Sequence, residues 1–134
     1  MRNNKIIKYW IKLSDYDIEV AESLYEKNHY LYSAFMCHQA IEKILKAIYV
    51  YKYNQPPPYT HRLYKLIQLN EIEDVISEEK KEFILKLEPY NIEARYPSYK
   101  KDIKKYLSSK KSLIILKTTK EIQQWLKSLI QIKK

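Results

Sequence analysis

Residues 34–49 read AFMCHQAIEKILKAIY, and the fold follows from this stretch. Placed on a helix at about 100° per residue, Ala34, Ile41, Leu45 and Tyr49 share one sector. Cys37, Ile44 and Ile48 occupy the next, and Met36, Ala40 and Ala47 lie roughly opposite. A helix that is apolar nearly all round belongs inside a protein. His38, Glu42 and Lys46 fall at i, i+4 and i+8 and form a narrow polar file on one side. The stretch is therefore read as the central helix of an all-α domain. Its polar file is either a buried structural network or part of a site.

The bulk properties narrow the choice of fold and function. The chain of 134 residues is long enough for one domain with a real core. It contains no glycine. That removes the phosphate-cradling P-loop, the dinucleotide-binding GxGxxG and the nucleophile elbow GxSxG, each of which depends on glycine backbone geometry. It also removes Asn-Gly hairpin turns and so weighs against an all-β fold. A hydrophobic share of 46% beside 31% charged residues indicates a globular chain. The single Cys37 cannot form an internal disulfide, and MRNNKIIKYWIKLSD lacks a signal-peptide apolar core. No apolar run approaches the ~18 residues of a membrane span. These features imply a soluble, cytoplasmic protein.

The net charge of +9 is unevenly spread. Residues 1–97 hold 14 basic and 14 acidic side chains, whereas residues 98–134 hold 11 lysines against Asp102 and Glu121. Such an asymmetry is either a solvated lysine-rich surface or an electrostatic footprint for nucleic acid or another polyanion.

Taken in order, the chain predicts an antiparallel up-and-down bundle of about five helices, a single domain over residues 1–134. The first helix runs from about Asn4 to Glu26 on an apolar stripe of Ile7, Trp10, Ile11, Ser14, Ile18, Ala21 and Tyr25. Asn28 can adopt the left-handed turn that glycine usually supplies. The central helix spans about Tyr30 to Tyr51, and Asn54 with Pro56, Pro57 and Pro58 stops it. Thr60 is expected to cap a short helix over His61–Leu69, broken by Asn70. Ser77 is expected to cap a fourth, with Glu78, Glu79 and Glu82 at its positive end and a core face of Phe83, Ile84, Leu87 and Tyr90. Pro89 predicts a kink or a break in it, and Arg95-Tyr96-Pro97 its end. Ser98–Ser108 is a basic, tyrosine-bearing connection. Ser108 or Ser109 caps a last helix running to about Ile130.

Three constellations carry chemistry. In the first, Glu42 and Lys46 are a favourable ion pair and His38 can hydrogen-bond Glu42. Two metal ligands at i,i+4 lack a convincing third, so no metal and no cofactor is expected. The second is Thr60-His61-Arg62, where a protonated histidine could bind an anion or simply cap the helix. The third is YNIEARYPSY, residues 90–99. Arginine reads phosphate bidentately and tyrosine stacks on bases, although Arg95 in a salt bridge and tyrosines packed on the core explain the same residues.

The chain resembles the HEPN domains, all-α domains of higher eukaryotes and prokaryotes often encoded beside a minimal nucleotidyltransferase. The resemblance rests on YWIKLSDYDIEVAESLYE, on YSAFMCHQAIEKILKAIYV, which is similar to the family's aromatic-x-x-HQA-x-EK-x-LKA pattern, and on THRLYKLI followed by ARYPSY. It covers about residues 5–130. Many such domains are metal-independent ribonucleases with an Arg-x4-6-His motif whose two copies meet across a homodimer cleft. Arg95 matches the arginine. The histidine would fall at Lys100, Lys101 or Asp102, and none is histidine. The chain therefore looks more like a branch with Arg-Tyr-Pro, for which nucleotide or polynucleotide binding is proposed.

The resemblance implies a homodimeric nucleotide- or RNA-binding module acting with a nucleotidyltransferase in a toxin–antitoxin-like pair. Arg95 would hold phosphate, Tyr96 and Tyr99 would stack or donate, and Lys100, Lys101, Lys104 and Lys105 would attract the polyanion. His38, Glu42, Lys46 and His61 are second-rank site candidates. The alternatives are an endoribonuclease with a non-standard acid or base, and a pure interaction partner.

Overall fold

The computed structural model describes residues 3–95 and 107–131, and these form five helices. They are α1 (Asn4–Glu26), α2 (Tyr30–Tyr53), α3 (Leu63–Leu69), α4 (Glu78–Arg95) and α5 (Ser109–Ser128). No strand occurs among the described residues. The all-α bundle expected from the sequence is the fold observed.

Helix α2 is the hub, and α1, α3, α4 and α5 all pack on it. Its Ile41, Ile44, Leu45 and Ala47 have no exposed surface, as the all-round apolar pattern requires. Fully burying a side chain of the size of leucine or isoleucine contributes roughly 1.5–3 kcal/mol, so this one helix anchors much of the core. Helices α1 and α2 form an antiparallel hairpin. Ser14 Oγ donates to the Ala40 carbonyl at 2.7 Å, and Ser33 Oγ to the Ala21 carbonyl at 2.8 Å. Small serines let the backbones approach, and each hydroxyl is satisfied by the facing carbonyl rather than left orphaned. Asp17 adds a 2.8 Å bridge to Lys43. Burial pushes the Asp17 carboxyl up from its usual range, and Lys43 only partly offsets this.

Helix α5 runs antiparallel to α1. Tyr25 lies near Ser109, Glu22 pairs with Lys120 at 2.8 Å, and Asp15 receives Gln123 at 2.7 Å and Lys127 at 2.8 Å. At the other end of the hub, the Asn70 amide donates to the Leu45 carbonyl at 2.9 Å and fixes the turn after α3.

With no glycine available, the left-handed positions fall to Asn28 (φ 67°), Asn54 (φ 51°) and Glu71 (φ 57°). Asparagine tolerates this region through its short polar side chain. Glu71 is less suited to it, and its carboxylate is held by the Tyr53 hydroxyl at 2.9 Å.

Four boundaries differ from the sequence reading, one of them the end of α5 at Ser128 rather than about Ile130. Helix α2 continues two residues beyond Tyr51 and ends where Asn54 turns left-handed. Helix α3 begins at Leu63, not His61, and its N-cap is Arg62 rather than Thr60. Thr60 Oγ1 instead accepts the Arg62 amide at 3.1 Å, closing a turn before the helix and leaving His61 outside it. Helix α4 passes through Pro89 unbroken. Pro89 is exposed, so the carbonyl of Leu85 that loses its donor is on the side where water can replace it. The Ser77 and Ser108 caps are present, accepting the amides of Lys80 and Lys111 at 3.1 Å each.

A candidate nucleic-acid interface beside a carboxylate-held histidine

One side of α2 carries Phe35, His38, Glu42 and Lys46 at helical spacing, the last three of them buried. The sequence left open whether this polar file is a network or a site. In the structure Glu42 is its centre, with a side chain only 3% exposed. Lys46 Nζ donates to it at 3.0 Å, and that ammonium also sits 5.7 Å from the Trp10 ring centroid of α1. An ammonium over an indole face is attracted by the ring quadrupole, so Trp10 shares in stabilising the buried lysine.

The second group on Glu42 comes from far along the chain. His61, in the loop before α3, places Nδ1 3.2 and 3.1 Å from the two carboxylate oxygens. A carboxylate only accepts, so Nδ1 carries the hydrogen, and in the neutral form of the ring the lone pair is then on Nε2. The His61 side chain is 56% exposed while its carboxylate partner is buried. The result is an imidazole held in one tautomer from behind. This is how a carboxylate prepares a histidine for proton transfer or for binding an anion.

His38 differs, being fully buried. Its Nδ1 faces the Gln39 amide oxygen at 3.3 Å and Glu42 at 3.9 Å, and its Nε2 has no partner among the described residues. Burial lowers the His38 pKa below its ordinary value, against the raising influence of Glu42, Gln39 and Glu88, with His61 adding to the lowering. Burial therefore disfavours the charged form of His38 within the bundle. A depressed folded pKa means the unfolded chain binds the proton first as pH falls through about 6.5. Stability should accordingly drop between pH 7.5 and 5.5, and His38→Gln should flatten that slope. Urea denaturation at the two pH values measures it; an unchanged slope in the variant would exclude His38 as the source. The raised Asp17 carboxyl acts in the opposite sense, but its window begins near the ordinary carboxylate range of about 4.

Arg95 is the last residue of α4 and is exposed. Its Nε donates to Asn91 Oδ1 at 3.0 Å, one turn back, and its guanidinium lies 5.8 Å from the Phe35 ring centroid. No salt bridge holds it among the described residues. It is braced by an amide and an aromatic face, which orient the guanidinium without neutralising it. Tyr96, Tyr99, Lys100, Lys101, Lys104 and Lys105 lie outside the described residues. Among the described residues, no group of three or more His, Cys, Asp and Glu is placed to hold a metal ion. No helix formed by them is long and apolar enough to cross a membrane.

The family model of the HEPN domain matches residues 7–129. The chain belongs to the HEPN domain family. That membership supports, at a coarse level, a nucleotide- or RNA-binding or ribonuclease-like module. No curated protein and no solved structure matched the chain.

In this HEPN domain, Phe35 and Glu42 are seven residues apart on α2, or about 10 Å along the helix. Arg95 sits over the first and His61 on the second. The structure thus brings His38, Glu42, Lys46 and His61 into one cluster, with Arg95 two turns away on the same side. The sequence reading missed Phe35, Asn91 and Trp10 as supporting residues. The i,i+4 spacing of Asn91 and Arg95 was a legible signal; the aromatic contacts between helices were not.

Proposed function

We propose that this HEPN domain is a nucleotide- or RNA-binding module in which Arg95 engages phosphate. The observation that supports this reading is the Arg95 guanidinium, exposed, braced by Asn91 and Phe35, and without an acidic partner among the described residues. Such a group is free to make bidentate contacts with phosphate oxygens. It stands at the entrance to the lysine-rich last third of the chain, where the whole net charge is concentrated. Tyr96 and Tyr99 are assigned stacking or donor roles, and Lys100, Lys101, Lys104 and Lys105 the electrostatic attraction. A homodimer working with a minimal nucleotidyltransferase, as a toxin–antitoxin-like pair, completes the proposal. The test is retention of labelled RNA on the purified protein across a salt series. No retention at any salt concentration excludes the reading.

One observation favours a second reading, a metal-independent endoribonuclease. The position where the family's ribonuclease motif carries histidine is occupied by Lys100, Lys101 or Asp102, yet His61 is held by Glu42 with Nε2 unengaged among the described residues. RNA brings its own nucleophile. In this reading Nε2 takes the proton of a 2′-hydroxyl, whose oxygen bonds to the adjacent phosphorus. The bond to the 5′ oxygen breaks, and that oxygen takes up a proton. The products are a 2′,3′-cyclic phosphate and a free 5′-hydroxyl. Incubation with RNA in EDTA decides between the readings. Cleavage abolished by His61→Ala, with RNA binding retained, supports the enzyme; intact RNA rules it out.

A further inference from the structure

The run that stops α2 presents an edge that the bundle leaves bare. Residues 53–60 read YNQPPPYT and carry no charge, in a chain that is 31% charged. Gln55, Pro56 and Pro57 each precede a proline, which disfavours helix at all three. The proline rings themselves hold φ near about −65°. Residues 56–58 accordingly lie in neither helix nor strand, and their sequence sets them for the left-handed polyproline II helix.

Both ends of the run are fixed. Asn54 closes α2 in the left-handed region, with its amide on the Val50 carbonyl at 2.9 Å. The Thr60 amide donates to the Pro58 carbonyl at 3.0 Å, a three-residue turn with Tyr59 at its apex. Pro56 is exposed, and Pro57 and Pro58 are half-buried. Tyr59 is fully exposed, at 108%, and its hydroxyl has no hydrogen bond among the described residues. Pro56 and Pro57 also line an open cleft of about 270 Å³ beside Ile6 and Val50, and no charged residue lines it.

We propose that Pro56-Pro57-Pro58-Tyr59 is a docking motif for a partner protein with an aromatic groove. Such a groove clamps a proline between two rings and seats the tyrosine in an adjoining pocket. With about three residues per turn, Pro56 and Tyr59 fall on one edge of the run, and both are exposed. The cleft gives a partner's ring access to Pro56 and Pro57. Because the run is extended before it binds and anchored at both ends, docking orders little additional chain. A polyanion is the poorer fit. Residues 53–60 hold no cation, prolines offer phosphate no amide donor, and the ammonium of the preceding Lys52 is engaged by the Asn70 carbonyl. His61, held by Glu42, follows Tyr59 by two residues, so an occupied motif sets the partner beside that ring. The inference goes beyond nucleotide binding and stands apart from the reading of Arg95.

Isothermal titration of the full chain, without RNA, into an isolated WW domain that reads Pro-Pro-x-Tyr tests the proposal. The native chain should bind in the micromolar range. Tyr59→Ala and Pro56→Ala should each weaken binding about tenfold or more, since each removes an anchor side chain. Pro58→Ala keeps the Pro-Pro-x-Tyr spacing and should change affinity by less than about threefold. Circular dichroism should show native helix content in all three, because none of the positions lies in a helix. A native chain that does not bind overturns the proposal, whether or not a free peptide of residues 53–61 binds. So does binding that survives Tyr59→Ala, or that falls as far with Pro58→Ala. A Tyr59→Ala chain that loses RNA retention while keeping the WW domain assigns Tyr59 to base stacking and likewise overturns it.

Discussion

Arg95→Ala combined with Lys104→Ala and Lys105→Ala is expected to weaken RNA binding on the order of a hundredfold at low salt. That corresponds to roughly 1 kcal/mol for each charge-assisted hydrogen bond to phosphate that the substitutions remove. The salt dependence carries the sharper signature. Each phosphate neutralised on a single strand contributes about 0.7 to the slope of log K against log salt, so removing three cations flattens it by about 2. Filter binding at several salt concentrations reads both quantities. A triple variant that loses affinity but keeps the native slope would mean these residues do not touch phosphate. Arg95→Lys separates charge from geometry. The guanidinium lies over Phe35 with Nε fixed by Asn91, an arrangement that a flexible ammonium cannot reproduce, so the slope should be kept while affinity falls.

Glu42→Ala is expected to destabilise the domain by about 3–5 kcal/mol, a large share of the ~5–15 kcal/mol typical of a domain. Removing the carboxylate leaves Lys46, whose side chain is only 9% exposed, with its cation beside Trp10 and no counter-charge from Glu42. It also releases His61 from its tautomeric constraint. The double variant Glu42→Leu/Lys46→Met removes both charges and should cost far less than the sum of the two single losses. Urea denaturation at pH 7.5, with Glu42→Leu, Lys46→Met and the double variant compared, measures the coupling. Strict additivity would mean that Glu42 and Lys46 are not a coupled pair. Arg95 lies on a separate brace, so correctly folded Glu42 variants should keep the salt slope of RNA binding.

Glu42 and Arg95 belong to different layers of the molecule. Glu42 sits where the fold is held together and Arg95 where α4 ends and the basic segment begins. His61 adds to the Glu42 layer a ring that is exposed while its partner is buried.

Much of the fold was legible in the residues. The all-round apolar pattern of 34–49 specified a buried helix, and the bundle indeed packs on it. Asn28 and Asn54 marked two helix ends because, without glycine, only a few side chains tolerate the left-handed region. Ser77 and Ser108 marked two helix starts because a hydroxyl can satisfy amides that have no partner within the helix. Even the family was legible, since HQAIEKILKA is a local pattern on one helix.

The remainder depended on contacts between residues distant in the chain, about which a local pattern is silent. Thr60 had the chemistry of an N-cap, but the chain needed His61 outside the helix so that its ring could reach Glu42. Pro89 had the chemistry of a helix break, but the bond it removes faces water. His38 and His61 looked alike as second-rank candidates, and packing separated them into a buried ring and an exposed, carboxylate-held one. Local sequence determined which helices form, roughly where they lie and which family they belong to, because propensity, capping and periodicity act over a few residues. Which polar groups are buried and which histidine is carboxylate-held was decided only by tertiary structure, because desolvation and ion pairing depend on neighbours brought from elsewhere in the chain.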